Sequence, residues 1–138
     1  RNPVSGQRIT PEDITLMVNI DQIGSTLAPI RKDRKDYLIM LGTESLPKGD
    51  RNLLSLCNKA HGTGLDLALD YYGSANFTKV FYRLSDQRIF VDNRIPAVLF
   101  TSGITMNTNK TWDNTNGIDT AILKKRICLM FHWIERML

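Results

Sequence analysis

The chain has 138 residues, 42% of them hydrophobic and 23% charged, enough for one ordinary core and too few for two comfortable domains. Its 18 Lys and Arg against 14 Asp and Glu leave a net charge of +4, too mild and too scattered for a nucleic-acid groove. No stretch approaches the roughly 20 apolar residues that cross a bilayer, so no membrane span is predicted, and no charged leader followed by an apolar run opens the sequence.

The first residue is Arg1 rather than Met, which reads as processing or a trimmed, longer parent, and no compartment is assigned. Thr10-Pro11-Glu12-Asp13 stands in helix-start order, but β-branched and apolar residues follow at once, so one short turn and then a strand over residues 14–21 are predicted. That run lacks clean alternation, as a strand covered on both faces would. It ends on Asp21, at the strand end where open α/β sheets carry their chemistry. Arg31, Lys32, Asp33, Arg34, Lys35 and Asp36 interleave acids with bases and read as a solvated loop.

A second strand runs from Tyr37 to Leu41, closed by Gly42. Leu53, Leu54, Leu56, Cys57 and Ala60 recur at helical spacing before Gly62-Thr63-Gly64 ends that helix. Residues 65–72 alternate well enough for a third strand. Ser85 is placed to cap a short helix through Ile89, Phe90 and Val91, and residues 95–101 form a further apolar strand. Residues 119–138 are the clearest helix, with Asp119 as cap and Ile122, Leu123, Ile127, Met130, Phe131, Ile134 and Met137 as its apolar face; Lys124, Lys125 and Arg126 would form the wet face. Cys57 and Cys128 match no metal spacing or disulfide framework and are expected to be buried free thiols. Strands alternating with helices favour an α/β fold over an all-β or bundle architecture.

Three segments in order then resemble the C-terminal half of the co-catalytic di-zinc aminopeptidase family, which includes glutaminyl cyclases and non-enzymatic receptor ectodomains. Val18-Asn19-Ile20-Asp21-Gln22-Ile23-Gly24 is similar to the family's Asn-Leu-Asp-Met-Ile-Gly, whose aspartate binds zinc and is matched by Asp21. Ser85-Asp86-Gln87, Phe90 and Ile95-Pro96-Ala97 resemble Ser-Asp-His, a phenylalanine and Gly-Ile-Pro-Ala, with Gln87 in place of the histidine and Arg94 in place of the glycine. From Gly103 to Asp119, Asp113 and Ile118-Asp119 match the family pattern, while Asn109 stands where its terminal zinc-binding histidine belongs. The resemblance extends from Asn2-Pro3 through the final helix. It implies a three-layer α/β/α sandwich with a mixed, mostly parallel sheet, present as the C-terminal part of a zinc-exopeptidase-like domain over residues 1–138. The family's other ligands and its general base lie N-terminal to these segments, and its members are often secreted or periplasmic.

A hydrolytic zinc site needs about three or four protein ligands per metal and an open position for an acidified water. By resemblance Asp21 is a remnant ligand, and the neutral amide of Asn109 replaces imidazole poorly on zinc, so zinc belongs to the family and no metal is expected on this chain. His61, near a helix end, and His132, on the last helix, lie off the ligand positions and read as structural or surface histidines. Asp86 is a possible proton relay by resemblance to the cyclases, or a helix-start acid. Asp66 and Asp70 read as surface charge. Ser25, Ser74, Ser85 and Ser102 lack a nucleophile elbow, and Gly62-Thr63-Gly64 is a turn without a phosphate-loop lysine. Trp112, beside Asp113 in the polar stretch 107–117, is the exposed-aromatic candidate for a substrate or partner rim, with packing over the last helix as the equal alternative.

The functional expectation is therefore a zinc-aminopeptidase-like domain that is inactive in this form. A peptide- or protein-binding module on the same scaffold and a fragment of an active metallopeptidase are the alternatives. A half-sheet would expose an open strand edge and an uncovered apolar face, predicting either a missing N-terminal half or a homo-oligomer formed through that edge.

Overall fold

A computed structural model describes residues 9–138; the Asn2-Pro3 start of the resemblance lies outside them. Pro11–Asp13 form a single 3-10 turn, its carboxylate Asp13 accepting from the Thr10 backbone N–H at 2.8 Å and from the Thr10 hydroxyl at 3.0 Å. Strand β1, Met17–Ile20, follows, shorter than its apolar run suggested. Strand β2, Tyr37–Leu41, is buried throughout, and Gly42 turns the chain at φ 87°. A Cβ at Gly42 would lie 2.5 Å from the Ala97 carbonyl oxygen and from the Tyr82 hydroxyl, so only glycine fits that corner.

Helix α1, Leu53–Ala60, ends at His61 and leads to strand β3, Asp66–Ala68. Helix α2, Ala75–Leu84, starts on Ser74, whose side chain accepts from the Phe77 N–H. The short α3, Arg88–Asp92, precedes strand β4, Ala97–Thr101, and α4, Thr120–Met137, closes the chain with Asp119 Oδ1 accepting from Ile122 N at 3.1 Å. Helix α2 has no counterpart in the sequence reading. The signal was present, since Phe77, Phe81 and Leu84 recur at helical spacing and Phe81 and Tyr82 pack into the core.

The four strands form one mixed sheet in the order β1-β4-β2-β3. β1 runs parallel to β4 with Met17 opposite Ala97; β4 is antiparallel to β2 with Leu41 opposite Leu99; β2 is parallel to β3. Successive residues of the two central strands enter two different clusters, as strands buried on both faces require. Leu38, Met40, Val98 and Phe100 pack with Leu54 and Cys57 of α1 and Leu129, Met130 and Trp133 of α4. Tyr37, Ile39, Leu41 and Leu99 pack with Tyr71 and Tyr82, beside Phe81 and Val91. Trp133 meets Phe100 edge-on at 5.2 Å between ring centroids, a pairing that contributes about 1 kcal/mol beyond area burial. The expected uncovered sheet face is thus absent among the described residues, whereas β1 and β3 stand at the two ends of the strand order.

Four further expectations change with the structure. Instead of lying within the sheet, β1 is an edge strand among the described residues, and Ile20 is exposed. Arg126 is 0% exposed and belongs to the buried side of α4, while Ile127 and Phe131 of the predicted apolar face are exposed. Cys57 is buried but Cys128 is exposed. The Asp66 side chain is 9% exposed, with Arg31 Nε at 3.2 Å from Oδ2 but out of hydrogen-bond alignment, so it is a paired, sheet-embedded acid. Among the described residues no helix is long and apolar enough to cross a membrane.

Candidate functional site

Parallel β1 and β4 deliver their C-terminal ends side by side, and the loops that hold Asp21, Trp112 and Asp113 follow those ends. The Asp21 N–H still donates to the Phe100 carbonyl at 3.0 Å. Gln22 then takes a left-handed conformation, φ 55°, which turns the chain out of the sheet. Its carbonyl accepts from the Ser102 N–H at 3.0 Å and from the Ser102 hydroxyl. The Tyr37 hydroxyl donates to the Ser102 carbonyl at 2.7 Å and accepts from Ala28 N at 3.2 Å; the Tyr72 hydroxyl donates to the Ala28 carbonyl at 2.9 Å. These bonds tie both strand exits and residues 25–28 into one floor.

Arg126 reaches that floor from α4. Its Nε donates to the Tyr37 carbonyl at 2.7 Å, and one terminal nitrogen donates to the carbonyls of Ile23 at 2.6 Å and Ser25 at 2.7 Å. The guanidinium carbon stands 4.8 Å from the centroid of the Tyr37 ring, a cation–π contact in a dry setting. Desolvation lowers its pKa from the usual arginine value, yet a guanidinium stays protonated across the physiological range.

Above the floor, Gln22, Ser25, Asn107, Trp112, Asp113 and Ile118 line a pocket of about 220 Å³. Its wall is the polar stretch 105–117, folded on itself: Thr105 N donates to Thr108 Oγ1 at 3.0 Å, Asn107 N to Thr105 Oγ1 at 3.2 Å and Asn116 N to Asn114 Oδ1 at 3.0 Å. The stretch is anchored where Ile118 bridges Ser25 and Asp119 N donates to the Gly24 carbonyl at 3.3 Å. Trp112 is 60% exposed, so its indole is presented at the rim. A second, mostly apolar pocket of about 570 Å³ adjoins the first; it shares Leu27, Thr105 and Asn107 and adds Tyr71, Tyr72, Phe77, Phe81, Ile104 and Met106.

Among the sequence candidates, Trp112 and Asp113 meet in the pocket wall. Asp21 immediately precedes the lining residue Gln22 and is exposed; its charge helps to raise the Tyr71 pKa, an effect led by burial of that phenol. Asn109 is exposed in the wall at φ 60°, a conformation asparagine tolerates, and does not line the pocket. Asp86 is exposed on the turn between α2 and α3, away from the pocket lining. Gln87 is buried; it accepts from Asn19 Nδ2 at 3.0 Å and donates to the Tyr82 carbonyl. Its amide is committed to joining β1 to α2.

His61 and His132 stack face to face, 3.6 Å between centroids and 3° between planes, and His132 Nδ1 lies 2.9 Å from Glu135 Oε2. Stacked imidazoles direct their lone pairs along parallel planes, so they join α1 to α4 rather than converge on an ion. Among the described residues no group of three or more His, Cys, Asp or Glu is disposed to hold a metal. The donors at the pocket, one exposed carboxylate beside neutral amides and hydroxyls, do not fit a zinc pair. Sequence reasoning missed Gln22 and the Tyr71-Tyr72 pair. The signal available for the pair was two adjacent aromatics directly before Gly73; Gln22 carried none beyond following Asp21.

Comparison with protein-family models, with curated proteins and with solved structures returned no match.

Proposed function

We propose that this chain is the C-terminal part of a zinc-exopeptidase-like α/β/α domain whose strand-end cleft binds a peptide without hydrolysing it. The observation that carries the reading is the meeting of Gln22, Trp112 and Asp113 around one pocket at the C-terminal ends of β1 and β4. These are the strand ends on which the resemblance puts the family's chemistry. Neutral amides and hydroxyls suit the alternating donors and acceptors of a peptide backbone, and the adjoining aromatic pocket suits an apolar side chain. The amides at Gln87 and Asn109, where the resemblance expects histidines, support a scaffold kept for recognition after its ligands are lost.

The test combines zinc calorimetry with tryptophan emission. Trp133 is 0% exposed and Trp112 is 60% exposed, so a ligand at the rim changes the Trp112 signal, which Trp112→Phe removes. Leucine- and phenylalanine-containing tripeptides are expected to shift that emission saturably, and zinc to bind no better than to Asp21→Ala. Stoichiometric zinc lost in Asp21→Ala would replace this reading with that of a working metallopeptidase fragment. Emission unchanged by every peptide at millimolar concentration would remove the peptide-binding assignment.

A further inference from the structure

Among the described residues, Tyr72 is the aromatic residue with a left-handed backbone, at φ 53°. A bulky side chain fits that conformation poorly, and such strain persists where the surroundings hold it, commonly beside a ligand site. Tyr72 is held by its hydroxyl, which donates to the Ala28 carbonyl at 2.9 Å. The same hydroxyl lies over Gly103, where a Cβ would stand 2.7 Å from it and 3.3 Å from the Ala28 Cβ. The contact therefore requires glycine at that position. Gly103 lines the first pocket, Tyr72 lines the second, and Leu27, next to Ala28, lines both. The meeting of Tyr72, Ala28 and Gly103 thus stands between the two pockets.

We propose that Tyr72 is a positioning residue of the cleft: its hydroxyl holds residues 27–28 down on Gly103 as a wall between the pockets, and so sets the preference of the second pocket for an apolar side chain. The inference rests on the peptide reading and deepens it. A peptide backbone in the first pocket and its side chain in the second meet at Leu27, which is 60% exposed and has little packing of its own to fix it. The Leu27 N–H is bonded only one turn back, to Ser25 Oγ at 3.1 Å. Its place is set by its neighbour Ala28, whose N–H donates to the Tyr37 hydroxyl at 3.2 Å and whose carbonyl takes the Tyr72 bond. Without the Tyr72 bond the ring still lines the second pocket, but the wall loses its tie to the turn between β3 and α2. A peptide of glycines has no side chain to place against that wall.

Tyr72→Phe keeps the ring and removes the bond. In the free protein the Ala28 amide is expected to exchange at least about tenfold faster in Tyr72→Phe, with the amides of β2 unchanged. In Trp112 emission titrations, glycyl-phenylalanyl-glycine should bind the unaltered chain at least about tenfold more tightly than triglycine, and Tyr72→Phe should bring that ratio within about twofold of one at constant triglycine affinity. Benzyl alcohol, followed by the shift of the Met106 methyl resonance, reads the second pocket without a peptide, and its affinity should fall by at least about fivefold in Tyr72→Phe. If neither tripeptide binds the unaltered chain, the peptide reading falls and the benzyl alcohol and exchange measurements decide the role of Tyr72. An Ala28 amide that exchanges at its unaltered rate overturns the proposal. So does a variant that weakens both tripeptides equally, or benzyl alcohol that binds the two proteins alike or not at all.

Discussion

Arg126 carries a full charge into the interior and bonds it to three backbone carbonyls rather than a carboxylate, one terminal nitrogen staying without a partner among the described residues. Those carbonyls belong to the start of β2 and the exit from β1, so one side chain sets the distance between the sheet and the pocket floor. Arg126→Met keeps much of the packed stem and orphans the carbonyls. At roughly 1 kcal/mol for each lost bond, it should lower the unfolding free energy in urea by about 3 kcal/mol. Arg126→Lys, with a shorter reach and no fork, should recover only part of that loss. Tyr82 gives a second residue-scale prediction. Burial pushes its phenol from 10.0 up to about 12, so the folded state holds the proton more tightly than the unfolded state does. The stabilisation is fully present below pH 10 and is lost as pH rises toward 12, a fall on the order of 2 kcal/mol. Urea midpoints across that window check it, and in Tyr82→Phe the Tyr82 contribution to the fall disappears.

Among the elements, α4 links sequence to site most directly. Asp119 caps its first turn through Oδ1 and donates its own N–H to the Gly24 carbonyl, so the cap fixes the end of the pocket wall as well as the helix start. Asp119→Ala should cost about 1 kcal/mol by loss of the cap, and Asp119→Asn should restore most of it; thermal unfolding distinguishes the two. This cap was legible in the sequence because capping chemistry is local, and so were the Gly42 corner and the apolar runs of β2 and β4. Which residues of α4 face inward was legible only in part: Met130, Ile134 and Met137 of the predicted face do pack into the core. Leu129 and Trp133 are buried beside Arg126, and a buried cation in the middle of a helix face disguises that face from any reading by hydrophobic period. The same limit applied at the site. Trp112 and Asp113 stood out as polar-loop residues of unusual type, whereas Gln22 acquires its place from a left-handed backbone that its residue type does not announce.

For the molecule as a whole, the two sheet ends are managed differently. β3 is only three residues long, a short edge of the kind that discourages pairing, whereas β1 ends on an exposed Ile20. If the β1 edge pairs with a second copy, folding and association are linked, and the unfolding temperature must rise with chain concentration. Each tenfold increase adds about 1.4 kcal/mol for each mole of dimer, or about 0.7 kcal/mol for each chain. For a domain of this size that is a rise of about 2 to 4 °C. Ile20→Lys should flatten the dependence and leave the unfolding temperature at the dilute limit of the unaltered chain, because it charges the strand edge at an exposed position without opening a cavity. Calorimetric scans of both proteins over two decades of concentration make the comparison. A temperature that rises equally in both would place the association elsewhere, and a flat response in the unaltered chain would leave β1 as a solvated edge.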